Sequence, residues 1–268
     1  MALNRSKWDE RVPIHEASDF YDVEGFRAGR ITVQPFELEE LGSLAFKRIC
    51  HLQCHFGMDS LSLARLGAEV VGLDFSQPAI DAATRLASDV GLADRAQFVT
   101  ASVYDAREAL AGDFDLAYVS WGTLIWLPDI SAWAHVVASL LRPGGFLYLA
   151  DCHPYAGALH PAADRPDLLQ QADPYGDSAE MEWDEPGTYA QPDAATVNTR
   201  DFQWCHGLGQ IVTAVADAGL RLDWLHERPV LVWPQWPTME QGDDGLWRQP
   251  GSTLPLSFSL KASKDMGG

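Results

Sequence analysis

Long apolar runs are missing from this chain. No stretch reaches the roughly 18 uninterrupted apolar residues that a membrane-spanning helix needs, and the opening MALNRSKWDER has no apolar signal core. No membrane partner is expected, and the protein is expected to stay in the cytoplasm. Basic residues are scarce as well: Lys and Arg total 19 against 38 Asp and Glu, a formal net charge of −19. Such a surface repels phosphate backbones and anionic lipid, which argues against nucleic acid, whereas a cationic cofactor or a neutral small molecule meets no long-range penalty. Cysteine is sparse. Cys50, Cys54, Cys152 and Cys205 are too few and too scattered for a disulfide framework and are read as free thiols. Internal repeats and low-complexity tracts are also lacking.

What is present is a folded composition. The 268 residues are 47% hydrophobic and 21% charged, enough to bury a proper core. The organising stretch is RICHLQCHFGMDSLSLARLGAEVVGLDFS, residues 48–76. An apolar run enters a short turn at 53–57, a helical segment follows, and a second apolar run closes on Asp74. In open parallel sheets, ligands sit at the carboxyl ends of such strands, with the acid after the second strand receiving ribose hydroxyls. A nucleoside-containing cofactor is the inference.

Apolar strand candidates at 47–52, 69–74, 96–100, 114–119 and 145–150 alternate with helical stretches at 58–66, 76–90 and 128–141. Alternation of this kind predicts a parallel sheet covered by helices on both faces. Ser76 ahead of Pro78 supplies a capping hydroxyl, Asp129 and Ser131 serve the later helix, and RPGG at 142–145 stops it. The layout is one domain over 1–268: an N-terminal helical cap of one or two short helices (1–44), a cofactor-binding core (45–151), a proline-broken insertion (152–204) with strand character only near 179–183, and a C-terminal part (205–268). That last part holds a helix at 208–218 and strands at 221–227 and 254–262.

Taken together, QCHFG, VVGLDFS, FVTASVYD, FDLAYVSWGTLIWLPD and LRPGGFLYLAD, in this order and spacing, resemble a class I S-adenosylmethionine-dependent methyltransferase of the small-molecule type. The resemblance implies an α/β, Rossmann-like seven-stranded sheet, mostly parallel with the last strand antiparallel. It also implies S-adenosyl-L-methionine over the ends of the first and fourth strands. Transferred by position, Asp74 takes the ribose hydroxyls, Phe75 borders the adenine, Ser102 and Val103 lie along its edge, and Ser120 and Trp121 sit near the methionine end. The family turn usually carries an acid and then glycines at alternate places. Here those places are His51, Gln53, His55 and Gly57, so added Cβ atoms and costly positive φ should narrow the site. Ser102 stands where an acid often faces the adenine amine.

Tyr21, Gln53, His55 and Gly57 complete the expected cofactor set, with His55 donating to the cofactor's carboxylate. Methyl transfer needs the acceptor held about 3 to 3.5 Å from the methyl, and a hydroxyl or amine acceptor needs a base, for which His153 is the first candidate and Tyr155 and Tyr21 lesser ones. Trp121, Trp233 and Trp236 are the expected walls for a small-molecule methyl acceptor. No metal is expected, because Cys50 and His51 point to opposite faces of a strand. The competing reading is a methyltransferase-like protein that binds cofactor without transferring methyl, or runs another reaction such as cyclisation. A nicotinamide-dependent reductase predicts an intact G-x-G-x-x-G turn that this chain lacks.

Overall fold

A computed structural model describes residues 2–266. Three helices come first: α1 (Ala2–Glu16), α2 (Val23–Arg27) and α3 (Pro35–Leu41). The alternating core follows as β1 (Arg48–Leu52), α4 (Met58–Arg65), β2 (Glu69–Asp74), α5 (Gln77–Asp89), β3 (Ala96–Thr100), α6 (Ala106–Ala109), β4 (Phe114–Ser120), α7 (Ile130–Leu140) and β5 (Leu141–Cys152). The insertion holds α8 (Pro154–Gly157) and two hairpins, β6 (Leu159–Ala162) with β7 (Arg165–Gln171), and β8 (Ala179–Asp184) with β9 (Arg200–Cys205). The chain then adds α9 (Leu208–Asp217), β10 (Leu220–Arg228), the short pair β11 (Glu240–Gln241) and β12 (Trp247–Arg248), and β13 (Ser257–Lys264).

The main sheet has seven strands in the order β10-β13-β5-β4-β1-β2-β3. Only β13 runs against the rest, antiparallel to both β10 and β5. Strand periodicity sends alternate residues to opposite faces. Cys50, Leu52, Ala117, Val119, Leu147 and Leu149 therefore pack under α7 and α9, while Ile49, Val70, Leu116, Tyr118 and Tyr148 pack under α4, α5 and the N-terminal helices. Both cores are dry and apolar, which holds the strand ends in fixed register.

Predicted starts hold where chemistry marks them. Ser76 Oγ accepts from the Ala79 amide and Asp129 from the Ala132 amide, capping α5 and α7. Three expectations need correction. The N-terminal cap begins with a 15-residue helix rather than a short one, because its buried side is polar and gives no apolar period. The strand expected at 145 starts at Leu141, since Phe114 pairs with Leu141 across an irregularity before the regular register resumes. The insertion is two hairpins, and β7 is exposed along most of its length, so it lacks the alternation that sequence reading relies on.

Candidate functional site

Strands β1 and β4 are neighbours whose chains lead away in opposite directions, β1 toward β2 and β3, β4 toward β5. That divergence leaves a crevice at their carboxyl ends. The turn after β1 lies in it. Gln53 (φ 57), His55 (φ 50) and Gly57 (φ 79) take left-handed backbone at alternate positions. For a residue with a side chain this costs on the order of 1–3 kcal/mol and persists only when the surroundings enforce it. Here they do. The His55 amide donates to Asp74 Oδ2 at 2.9 Å, the Cys54 amide to Leu73 O at 3.0 Å, and Gln53 Nε2 to Thr123 O at 3.0 Å. Glycine is required at 57, where a Cβ would lie 2.7 Å from the Phe98 ring and 2.9 Å from Ala83.

Asp74 ends β2 almost fully buried. Burial raises its carboxyl to about 6, against the amides of Ser76 and His55, which lower it. Beside it a small, partly open cavity of about 20 Å³ is lined by Asn4, Gln53, Leu73, Phe75, Ser102, Val103, Trp126 and Leu127. Phe75, Ser102, Val103 and Gln53, read separately from the sequence, thus share one wall. Gln53 Oε1 is buried there without a partner. An orphaned acceptor next to an apolar slot suits a flat heterocycle with a donor edge. At this volume the slot has room for about one water, so a ring enters only as its lining side chains move apart.

α1 is the cover. Trp8 packs edge-on against His55 (5.3 Å between centroids) and Trp126 (5.4 Å). The insertion clamps the helix: Asn4 exchanges two hydrogen bonds with the Phe202 backbone (2.7 and 2.8 Å), Glu10 accepts from the Val197 and Asn198 amides, and Lys7 forms a buried ion pair with Asp201. His55 is half-buried beneath α1. Its Nε2 lies 2.9 Å from His15 Nδ1, and burial pushes its pKa down, so the imidazole is neutral. Tyr21 stacks on His15 and pairs its hydroxyl with that of Tyr189.

The other end of the crevice is built on β4. Ser120 Oγ donates to Asp59 Oδ2 (3.2 Å), and His51, in the family's acid position, is buried with Nδ1 2.7 Å from Ser60 Oγ. Burial takes His51 down to about 3, so it adds no charge. Trp121 (φ 48) turns out of the strand. Its indole donates to Glu37 Oε2 at 3.2 Å, and its ring meets Phe36 and Trp233 edge-on, each at 6.1 Å. Asp151 holds this loop by accepting from the Gly122, Thr123 and Leu124 amides. Trp236 lies elsewhere, buried with Leu159, Leu231, Met239 and Leu256, its indole donating to Leu159 O.

His153 caps α8. Its Nδ1 accepts from the Tyr155 amide at 3.1 Å, which leaves the proton on Nε2, 2.9 Å from Glu227 Oε1. Both nitrogens are engaged, so service as a base requires release of one. Tyr155 is half-exposed. Sequence reading missed Glu37, Asp151, Trp126 and the site-facing side of α1. Asn4, Trp8, Arg11 and His15 lie at helical spacing, but this stripe is polar and aromatic and carries no apolar signal.

Glu37 is fully buried against Tyr118 and Trp121, and burial, then the Asp59 charge, lifts it from 4.5 to about 7 despite hydrogen bonds that lower it. A raised folded pKa means the stabilisation is complete below 4.5 and is lost as pH rises through about 7. Between pH 5 and pH 8, wild type is expected to lose about 2–3 kcal/mol more stability than Glu37→Gln. Urea denaturation of both proteins across that range measures the difference; parallel curves would remove Glu37 as the titrating group.

Comparison with known proteins bears on the same region. The family described as "Methyltransferase domain" matches residues 50–147, which runs from β1 to β5. The ubiquinone biosynthesis O-methyltransferase of Ralstonia nicotianae is 32% identical over 129 residues, 47% of this chain and 53% of that protein. Residues 50–147 therefore match a methyltransferase domain, within a fold shared with S-adenosylmethionine-dependent methyltransferases of known structure. The chain's match spans about half the length of the curated relatives. A methyltransferase of known structure from Listeria monocytogenes, 15% identical, superposes with a TM-score of 0.63 over 86% of this chain and 96% of that one. A glycopeptide N-methyltransferase solved with S-adenosyl-L-methionine, also 15% identical, gives 0.55 over 85% and 92%. These likenesses extend the shared fold well beyond residues 50–147. Among the described residues no helix is long and apolar enough to cross a membrane.

Proposed function

We propose that the protein transfers the methyl group of S-adenosyl-L-methionine to an apolar or aromatic small molecule. One juxtaposition carries the reading: the slot of Phe75, Ser102 and Val103 beside Asp74 lies at one end of the β1–β4 crevice, and the aromatic wall of Trp121, Phe36 and Trp233 at the other. When bound, S-adenosylmethionine supplies an electrophilic methyl on a sulfonium, which a nucleophile takes in line while the sulfur keeps the bonding pair. The chain's own part is to bind, orient and exclude water. Asp74 would hold the ribose, Gln53 the polar edge of the nucleoside end, and Ser120 and Trp121 the methionine end. The orphaned Gln53 Oε1 and the buried acid of Asp74 match what a ribonucleoside offers.

Trp121, Phe36 and Trp233 suit an aromatic acceptor, which edge-to-face contact orients and desolvates. Named relatives that act in ubiquinone biosynthesis are compatible with a ring-bearing acceptor. A surface at net charge −19 disfavours nucleic acid. The second reading, cofactor binding without methyl transfer, draws on the turn: Gln53 and His55 put side chains where backbone usually approaches the ligand. Incubating the purified chain with methyl-labelled S-adenosylmethionine and a cell extract separates the two. The proposal expects label in a low-mass compound and S-adenosylhomocysteine in equal amount. Binding without either product would leave the second reading standing.

A further inference from the structure

Seven buried side-chain atoms of the described residues have no hydrogen-bond partner: Asp9 Oδ1, Arg11 Nε, His15 Nε2, Gln53 Oε1, Trp133 Nε1, Trp183 Nε1 and Ser257 Oγ. Such atoms are rare, and each asks for a cause. The first three are on α1, and the fourth is on the turn that α1 covers. A helix serving only as a cover would turn apolar or paired groups inward. α1 meets this only in part: buried Asn4, Lys7 and one Arg11 nitrogen are paired with the insertion, and other inward atoms are not. Its apolar Val12 joins the core, its surface-side polar residues are paired with the insertion and α5, and the atoms left over are an acid oxygen, an imidazole nitrogen and a guanidinium nitrogen.

Two of these have a readable place. Asp9 lies near enough to Asp74 for its charge to raise the Asp74 carboxyl. Two acids at such range repel, and the pair is stabilised by a ligand that presents several hydroxyl donors at once. His15 is fully buried, and its Nδ1 is committed to His55 Nε2 at 2.9 Å. Whichever nitrogen carries the proton, Nε2 is left over, an acceptor in one tautomer and a donor in the other. It stands among Trp8, His55 and Tyr21, beside the β1 turn.

We propose that α1 is part of the cofactor site itself: Asp9 accepts from the ribose hydroxyls alongside Asp74, and His15 Nε2 bonds the amino-acid end of the cofactor. This rests on the reading above that the crevice binds S-adenosylmethionine, and it adds that the bound molecule is held from both sides.

Calorimetric titration of the full chain with two probes tests this without turnover. S-adenosylhomocysteine carries adenine, ribose and the amino-acid end; 5′-methylthioadenosine lacks the last. Asp9→Asn is expected to weaken both by about tenfold, the loss of one charge-assisted hydrogen bond. His15→Asn keeps a polar atom near Nδ1 for His55 but has nothing at Nε2. It is expected to weaken S-adenosylhomocysteine by about tenfold and leave 5′-methylthioadenosine within about twofold. His15→Gln, which restores an atom near Nε2, should recover part of that loss. Glu16→Gln, on the same helix but paired outward with Arg85, controls for loosening of α1 and should change neither.

Wild-type affinity for S-adenosylhomocysteine combined with unchanged affinity in Asp9→Asn and His15→Asn would overturn the inference and leave the proposed function intact. Equal losses for both probes in His15→Asn would also overturn the assignment of His15, making α1 a cover only. Failure of the wild type to bind either probe would overturn both readings together. Thermal melts of each variant without ligand show that the folded chain is being titrated; should Asp9→Asn melt early, Asp9→Ser at a lower temperature gives the same comparison.

Discussion

Asp74→Asn is expected to weaken S-adenosylhomocysteine binding by about a hundredfold or more, the loss of charge-assisted hydrogen bonds to two ribose hydroxyls. The carboxylate already works on the protein side. One oxygen accepts from the His55 amide at 2.9 Å and the other from the Ser76 amide at 2.9 Å, which fixes the β1 turn to the start of α5. An asparagine has one carbonyl oxygen, so its NH₂ must confront one of those amides. The variant is therefore expected to lose about 1–3 kcal/mol of stability besides affinity. Calorimetry and urea denaturation on the same sample read the two effects apart. Unchanged affinity would move the ribose away from β2.

Asp151→Ala is expected to have the largest effect on the fold near the site. Its carboxylate accepts from the amides of Gly122 (2.6 Å), Thr123 (3.2 Å), Leu124 (3.3 Å) and Cys152 (2.7 Å), all in a buried corner between β4 and β5. Alanine strands these donors, of which the Thr123 and Leu124 amides are buried, at about 1–3 kcal/mol for each that stays unpaired. Relaxation recovers part, so a loss of about 3–4 kcal/mol is expected. The same loop sets Trp121 and gives Thr123 O to Gln53. Activity should fall beyond the folded fraction, because both ends of the crevice are aimed by it. Asp151→Asn, which keeps one acceptor, should lie between; a melting temperature equal to wild type in Asp151→Ala would show that the loop stands without its anchor.

The sheet was legible because its strands are buried on both faces and separated by helices with chemical end signals. Ser76 and Asp129 mark two starts that the structure keeps. Asp74, Phe75, Ser102 and Val103 were legible because strand ends fall at fixed places once register is known. The rest depends on contacts distant in sequence. Asn4 meets Phe202, Lys7 meets Asp201, and Glu37 reaches Trp121, none of which periodicity encodes. α1 was hardest to read: its buried side carries Asn4, Lys7, Arg11 and His15, polar groups that sequence patterning assigns to solvent. Gln53 and His55 were flagged as departures from glycine. The left-handed backbone they nonetheless adopt, with φ of 57 and 50, shows that the surrounding hydrogen bonds, more than residue preference, dictate the turn.

Native mass spectrometry of the full chain, with S-adenosylmethionine, S-adenosylhomocysteine and NAD offered in competition, tests the central claim most directly. The account predicts one adenosyl-sulfur ligand per chain, displaced by its demethylated form, not by NAD, and absent from Asp74→Asn. A folded wild-type chain that retains neither sulfur ligand, or that selects NAD, would contradict it.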